Sequence, residues 1–210
     1  MKKEKSTKFE ILIFCLILLF LIIPPFFAAH VDSAAQIFTW NFPWKQAGMC
    51  VFAVVLLVLS KNLNVKKGFF YPSLIALSLL FLTSIIIRMI TGTAPGANKD
   101  IIPHGYKEVI FCFLTFAFSA VYEEIIYRFY FTDALKRFVP ESITNKFLLF
   151  LPEILGVLVF AFAHMYMGFA SVINAAVAHI VLRFLYKKTN LIWNCIIVHF
   201  IYNVISLILL

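Results

Sequence analysis

Long apolar runs are the feature that most constrains the fold of this chain. Seven candidate runs cover roughly residues 9–29, 44–60, 69–90, 108–131, 147–165, 169–186 and 190–210. A run of about 18 to 25 apolar residues is what crosses a bilayer, and 210 residues cannot bury seven such runs in a soluble core. Backbone in hydrocarbon must satisfy its own hydrogen bonds, so each run is expected to be helical. The sequence predicts an all-α, polytopic transmembrane bundle of about seven spans.

Composition excludes the soluble classes of protein. Hydrophobic residues make up 63% of the chain and charged residues 13%, against roughly half and a quarter in soluble domains. The net charge of +8 lies in short clusters between apolar runs, so it reports topology and we expect no nucleic-acid partner. The four cysteines lie in or beside apolar runs and predict neither a disulfide framework nor a zinc site.

The basic residues predict an orientation. With the N-terminus inside, twelve of them fall on the cytoplasmic side and four on the other, as the positive-inside rule requires. The twelve are Lys2, Lys3, Lys5, Lys8, Lys61, Lys66, Lys67, Lys136, Arg137, Lys146, Lys187 and Lys188. The first run, Phe9 to Ala29, lacks an Ala-x-Ala cleavage pattern, so we interpret it as a retained span.

The chain shows no internal repeat and no separate soluble domain. The stretch from Thr91 to Tyr106 contains Gly92, Pro95, Gly96 and Pro103 and is predicted to form an exposed loop. We expect residues 1–105 to hold three N-terminal spans and this loop. Residues 106–210 would hold a four-span core that forms one integrated domain with them. The stretch from Asp133 to Asn145 is predicted to be a cytoplasmic connection.

Polar groups inside spans are the candidate functional residues, because ionisable groups are costly in a bilayer. Three predicted spans contain them: Glu123, Glu124 and Arg128 in the fourth, His164 in the fifth, and His199 and Asn203 in the seventh.

Helical spacing separates the two glutamates. Glu124 and Arg128 are four residues apart, the favourable order for an intrahelical ion pair. Glu123 points about 100° away from Glu124 and is left without that partner. His199 and Asn203 are also four apart and share a face.

This set of residues indicates hydrolytic chemistry. Glu123 can act as a general base on water with His164, or the two can share a metal ion. His199 and Asn203 can donate hydrogen bonds to an oxyanion in acyl transfer. Taken singly, each of these residues is more often structural; the combination across three spans favours a hydrolase of carbonyl compounds.

Other polar residues receive structural interpretations. Arg88 and Arg183 are expected to extend toward headgroups, and Glu153 to lie at the interface. Asn174 and His179 are expected to serve in packing or in polar contacts between helices.

Three motifs resemble the CPBP (Abi) family of intramembrane proteases, which includes the type II CAAX prenyl protease. They are Glu123-Glu124-Ile-Ile-Tyr-Arg128, Phe160-Ala-Phe-Ala-His164 and His199-Phe-Ile-Tyr-Asn203. The likeness covers roughly residues 106–205 and includes the stretch from Leu185 to Trp193.

The resemblance implies a role for each motif residue. Glu123 would be the general base, assisted by His164, while His199 and Asn203 stabilise the oxyanion. Glu124 and Arg128 would support the site. A divalent metal such as zinc would use Glu123, His164 and His199, but the His-Glu-x-x-His signature is absent and we favour a site without an obligatory metal.

The leading hypothesis is therefore an intramembrane endopeptidase, of glutamic or metal-dependent type, whose partners are membrane lipid and a membrane-associated peptide or protein tail. A short chain without an organelle-targeting segment favours a bacterial plasma membrane. One alternative is a non-catalytic immunity or peptide-binding protein of the same fold. Another is a proton-coupled transporter, against which stand the small size and the lack of paired broken spans.

The predicted span boundaries place His164 toward the outer end of the fifth span, whereas Glu123, His199 and Asn203 fall near mid-membrane. At about 1.5 Å per residue the difference in depth approaches 10 Å. The assignment of His164 therefore depends on where the fifth helix ends.

Overall fold

The computed structural model describes residues 8–27, 41–60, 70–93, 95, 103, 105–140 and 142–209. Within these ranges the regular structure is entirely helical. Seven helical segments follow one another, and each of them coincides with a predicted apolar run. We number them α1 to α7.

The first three helices precede the motif-bearing half of the chain. Helix α1 is α-helical over Lys8–Ile17 and continues as a π-helix over Leu18–Ile22. A 3₁₀ turn over Pro24–Phe27 follows, because consecutive prolines cannot continue a helix. Helices α2 and α3 span Trp44–Leu59 and Phe70–Thr91.

Helix α4 is longer than the sequence predicted. It runs continuously over Tyr106–Phe138, so the first part of the predicted connection from Asp133 to Asn145 is helical. Its central part, Glu124–Phe131, is a π-helix between the α-helical segments Tyr106–Glu123 and Thr132–Phe138. At about 1.5 Å per residue such a helix exceeds the hydrocarbon thickness of about 30 Å.

The last three helices have clear local boundaries. Helix α5 spans Lys146–Phe162, and the Asn145 side chain caps it by accepting from the Phe147 N–H. Helix α6 spans Phe169–Thr189 and begins after Gly168, whose φ of 91° suits glycine. It ends at Asn190, in the left-handed region with φ 55°, and helix α7 spans Ile192–Leu209.

Four of the described helical stretches are long and apolar enough to cross a membrane: Glu10–Phe27, Phe70–Thr91, Tyr106–Phe138 and Phe169–Thr189. Trp44–Leu59 and Ile192–Leu207 are shorter apolar helices. The protein is a helical membrane bundle, while seven spans and an inside N-terminus stay predictions.

Helix α4 lies at the centre of the packing. It contacts both α2 and α7, and its C-terminal part packs on α5. Helix α6 packs against α3, α5 and α7. The motif residues are therefore on neighbouring helices.

Gly156 marks a close approach of α5 to α4 and α6. A Cβ atom there would lie 2.7 Å from Thr132 Oγ1 and 3.2 Å from His179 Nε2. The absence of a side chain at residue 156 lets α5 pack directly on α4 and α6.

Candidate active site

The ion pair that the four-residue spacing predicts is present at the start of the π-helical segment. The Arg128 guanidinium contacts the Glu124 carboxylate, and both side chains are fully buried. Buried charges are tolerated when they are paired. This pair forms the sealed inner part of the site.

His199 joins α7 to this pair. Its Nδ1 lies 2.7 Å from Glu124 Oε1. Because a carboxylate paired with arginine accepts hydrogen bonds, Nδ1 carries the proton and donates it. In the neutral ring Nε2 is then an acceptor, and it becomes a donor only in the imidazolium.

Glu123 lies between the two motif histidines. Its Oε2 is 3.8 Å from His164 Nε2 and 3.9 Å from His199 Nε2. These three side chains keep 13%, 19% and 11% of their surface exposed, whereas Glu124 is closed off. The structure thus separates an accessible glutamate from a sealed one, as the 100° rotation predicted.

His164 reaches this position because α5 ends just before it. The helix finishes at Phe162, and His164 stands in the turn that follows. Its Nδ1 lies 2.8 Å from the Phe160 carbonyl oxygen, so Nδ1–H donates and Nε2 faces Glu123 as an acceptor. The expected mismatch in depth does not separate these side chains.

The Phe160 ring contacts side chains from several parts of the site. Its ring centroid is 4.7 Å from that of His164 and 5.4 Å from that of His179. The Arg128 guanidinium carbon lies 5.1 Å from the same ring centroid, an arrangement that is attractive for a cation over an aromatic face. Phe160 therefore helps to fix both Arg128 and His164.

Asn203 is half-buried one helical turn beyond His199 on α7. Within the described part of the chain, no hydrogen bond to its side chain is found.

Three tyrosines that the sequence motifs did not single out, Tyr122, Tyr127 and Tyr166, lie close enough to Glu123 for its charge to act on their hydroxyls. The sequence feature that could have identified these tyrosines is their position within or beside the first two motifs.

A zinc ion at this site would need Glu123, His164 and His199 to converge on one point. Ligand atoms about 2.0–2.1 Å from a tetrahedral zinc stand roughly 3.4 Å apart, and the two distances from Glu123 exceed this spacing. Over the residues that the structure describes, no group of three His, Cys, Asp or Glu side chains is arranged to hold an ion. Glu123, His164 and His199 as placed do not form a zinc site.

A second polar cluster corrects the expectation for Arg183. Its side chain does not extend to a headgroup but is 4% exposed and binds to Glu153, which is 8% exposed. Arg183 donates from Nε to Glu153 Oε2 at 3.0 Å. Apolar runs carry no information about partners on other helices, so sequence reasoning missed this pair.

Asn174 makes polar contacts between helices, as expected. Its Oδ1 accepts from Ser84 Oγ at 3.0 Å, and its Nδ2 donates to the Tyr202 hydroxyl at 2.9 Å. The Ser84 and Tyr202 hydroxyls also contact each other. Ser84, Asn174 and Tyr202 thus join α3, α6 and α7, and Tyr202 directly precedes Asn203.

Comparison with known proteins gives a family for this part of the chain. Residues 105–205 match the family model described as type II CAAX prenyl endopeptidase Rce1-like. No curated protein and no solved structure matched the chain. The matched segment contains all three motifs and every side chain that meets at Glu123. Over this segment, just under half of its length, the chain is similar to the Rce1-like family of type II CAAX prenyl endopeptidases.

Proposed function

We propose that this protein is an intramembrane endopeptidase that hydrolyses a peptide bond in the tail of a membrane-associated peptide or protein. The observation that carries the proposal is the position of the Glu123 carboxylate between two imidazole nitrogens from different helices, at 3.8 and 3.9 Å. The family description supports a C-terminal CAAX tail as the first substrate to try.

Glu123 and His164 activate the water in this proposal. Atoms separated by 3.8 Å are too far apart for a direct hydrogen bond but can share one water molecule. Both Glu123 Oε2 and neutral His164 Nε2 are acceptors. They draw the two protons of that water toward themselves and leave its oxygen lone pair to attack the carbonyl carbon.

Asn203 and His199 stabilise the oxyanion. The Asn203 amide is a donor in every protonation state, and it stands one turn from His199 on α7. In this role the His199 ring is an imidazolium, in which Nδ1 donates to Glu124 at 2.7 Å and Nε2 donates to the oxyanion. The proton that Glu123 takes from water can then pass to the leaving amine.

The test is a cleavage assay with the purified protein in proteoliposomes. The substrate is a fluorogenic peptide ending in a farnesylated CAAX sequence, with the unfarnesylated peptide in parallel. Glu123→Gln and His164→Ala should each lower kcat by about 10²-fold or more, as expected for acid–base residues.

Glu108→Gln is the matched control, because Glu108 is on the same helix about 22 Å along its axis from Glu123. It should keep the wild-type rate. Wild-type cleavage that survives both site substitutions would refute the assignment. Tight binding of the peptide without cleavage would favour the peptide-binding alternative.

We propose further that the reaction needs no metal, since the spacing of Glu123, His164 and His199 is too wide for shared coordination. Treatment with a strong chelator followed by its removal should leave kcat unchanged. If the chelator lowers kcat and added zinc restores it, this part of the proposal is overturned.

A bacterial plasma membrane is the proposed location.

A further inference from the structure

Arg183 stands at the junction of α4, α5 and α6 with every guanidinium nitrogen bonded. Nε and Nη2 donate to the two oxygens of Glu153 at 3.0 and 3.2 Å. Nη2 also donates to Asp133 Oδ1, and Nη1 to the main-chain oxygen of Arg128, each at 2.6 Å. A buried arginine held by four acceptors has a fixed orientation.

The bond to the Arg128 carbonyl lies within the π-helical segment. Such segments interrupt the regular ladder of helix hydrogen bonds and are frequent at functional sites. Here two successive carbonyl oxygens accept from side chains: Tyr127 O from Thr132 Oγ1 at 3.1 Å and Arg128 O from Arg183. The backbone at Arg128 is thus held from outside its own helix.

From Arg128 the connection continues into the site. The Arg128 guanidinium contacts Glu124, and Glu124 holds His199 Nδ1 at 2.7 Å. We infer that Arg183 is a positioning residue, which fixes the main chain of Arg128 and through it the Glu124–His199 pair. This inference rests on the proposed function for its catalytic consequence, but its structural consequence is measurable without catalysis.

The need for a positive charge beside Glu153 does not by itself explain why residue 183 is an arginine. Glu153 Oε1 also has Lys136 Nζ at 2.6 Å and Lys187 Nζ at 2.8 Å, so it has two other cations. The arginine differs because its planar fork reaches acceptors in several directions at once, whereas a lysine is a single point charge. Arg183→Lys therefore keeps the charge near Glu153 and loses the link to the Arg128 carbonyl.

The experiment compares Arg183→Lys with Lys187→Ala. The second variant removes a cation from the same cluster but leaves the Arg128 carbonyl bonded, and Lys187 is 48% exposed. With the farnesylated peptide, Arg183→Lys should lower kcat about 10- to 100-fold with KM within about threefold, since small misplacements of catalytic groups have effects of this size. Lys187→Ala should stay within about twofold of wild type.

A second readout needs no substrate. Diethyl pyrocarbonate modifies imidazole rings, and mass spectrometry measures the rate at each histidine. Arg183→Lys should raise the rate at His199 about threefold or more, because a loosened Glu124 no longer holds Nδ1. The rate at His164, which is held by the Phe160 carbonyl instead, should not change.

The outcomes separate the two proposals. If the wild type cleaves no peptide, the proposed function fails and the modification rates alone decide the role of Arg183. Unchanged kcat and unchanged modification in Arg183→Lys overturn the inference, as does an equal loss in Lys187→Ala. If Arg183→Lys does not fold, Asp133→Ala replaces it, because Asp133 is 32% exposed and accepts from Arg183 Nη2. Asp133→Ala should then lower kcat about three- to tenfold, with Lys187→Ala again close to the wild type.

Discussion

Gly156 offers a direct test of how the site-bearing helices pack. In Gly156→Ala the new Cβ would meet Thr132 Oγ1 at 2.7 Å and His179 Nε2 at 3.2 Å. Thr132 and His179 are fully buried, and the Thr132 hydroxyl is bonded to the Tyr127 carbonyl at 3.1 Å. Neither neighbour can move without disturbing α4 or α6.

The expected loss of stability is the sum of three contributions. Overpacking a close contact costs about 1–3 kcal/mol, and displacing the Thr132 hydroxyl from its carbonyl costs about 1 kcal/mol more. Alanine regains about 1 kcal/mol of helix propensity over glycine. The net destabilisation is about 2 kcal/mol, which lowers Tm by roughly 4–8 °C in a chain of this length.

The assay can use the protein's own cysteines. Cys112 and Cys195 are buried, Cys50 is half-buried and Cys15 is exposed. A thiol-reactive fluorophore therefore gives a native baseline from Cys15 and Cys50 and a signal on unfolding from Cys112 and Cys195. Gly48→Ala is the matched control, because a Cβ at this glycine of α2 has no neighbour within 4 Å. It should leave Tm unchanged or raise it.

A double-substitution cycle identifies the contact responsible. Thr132→Ala removes the oxygen that collides, so Gly156→Ala should cost less in that background than in the wild type. Equal costs in both backgrounds, or a Gly156→Ala protein as stable as the wild type, would refute this account of helix packing.

Further predictions concern the side chains around the site. Glu124→Gln removes the charge that holds His199 Nδ1 and should lower kcat about 10²-fold with little change in KM, measured with the farnesylated peptide; an unchanged kcat would contradict the positioning of His199. Ser84→Ala removes a hydroxyl that contacts Tyr202 and donates to Asn174, and should lower the free energy of unfolding by about 1–2 kcal/mol in the same thermal assay. A stability equal to the wild type would show that this trio contributes nothing.

The sequence was sufficient for the architecture and for the local geometry of the site. Apolar runs predicted the helices, because a bilayer leaves the backbone no other conformation. The four-residue spacing predicted the contact between Glu124 and Arg128, because helical neighbours meet whatever surrounds them. The outward rotation of Glu123 followed from the same geometry.

Tertiary features were beyond this reasoning. Hydropathy gives only an approximate helix end, so the predicted boundaries placed His164 too far from Glu123. Helix α5 in fact ends at Phe162, and the turn that follows brings the His164 ring to within 3.8 Å of the Glu123 carboxylate. The π-helical geometry of Glu124–Phe131 has no signature in the apolar pattern. The partner of Arg183 is on another helix, 30 residues away at Glu153, and no local periodicity encodes it.

The ion pair within α4 has a consequence for biosynthesis. Glu124 meets His199 across 75 residues, and the Arg128 carbonyl meets Arg183 across 55, so neither partner exists when a ribosome first delivers α4 to the bilayer. A charged side chain at the centre of a spanning helix costs about 2.5–3.5 kcal/mol at that moment. Because Glu124 and Arg128 lie one turn apart, they neutralise each other as soon as the helix forms. Helix α4 can therefore remain in the membrane with the charges of Glu124 and Arg128 compensated until the helices that complete its site have been made.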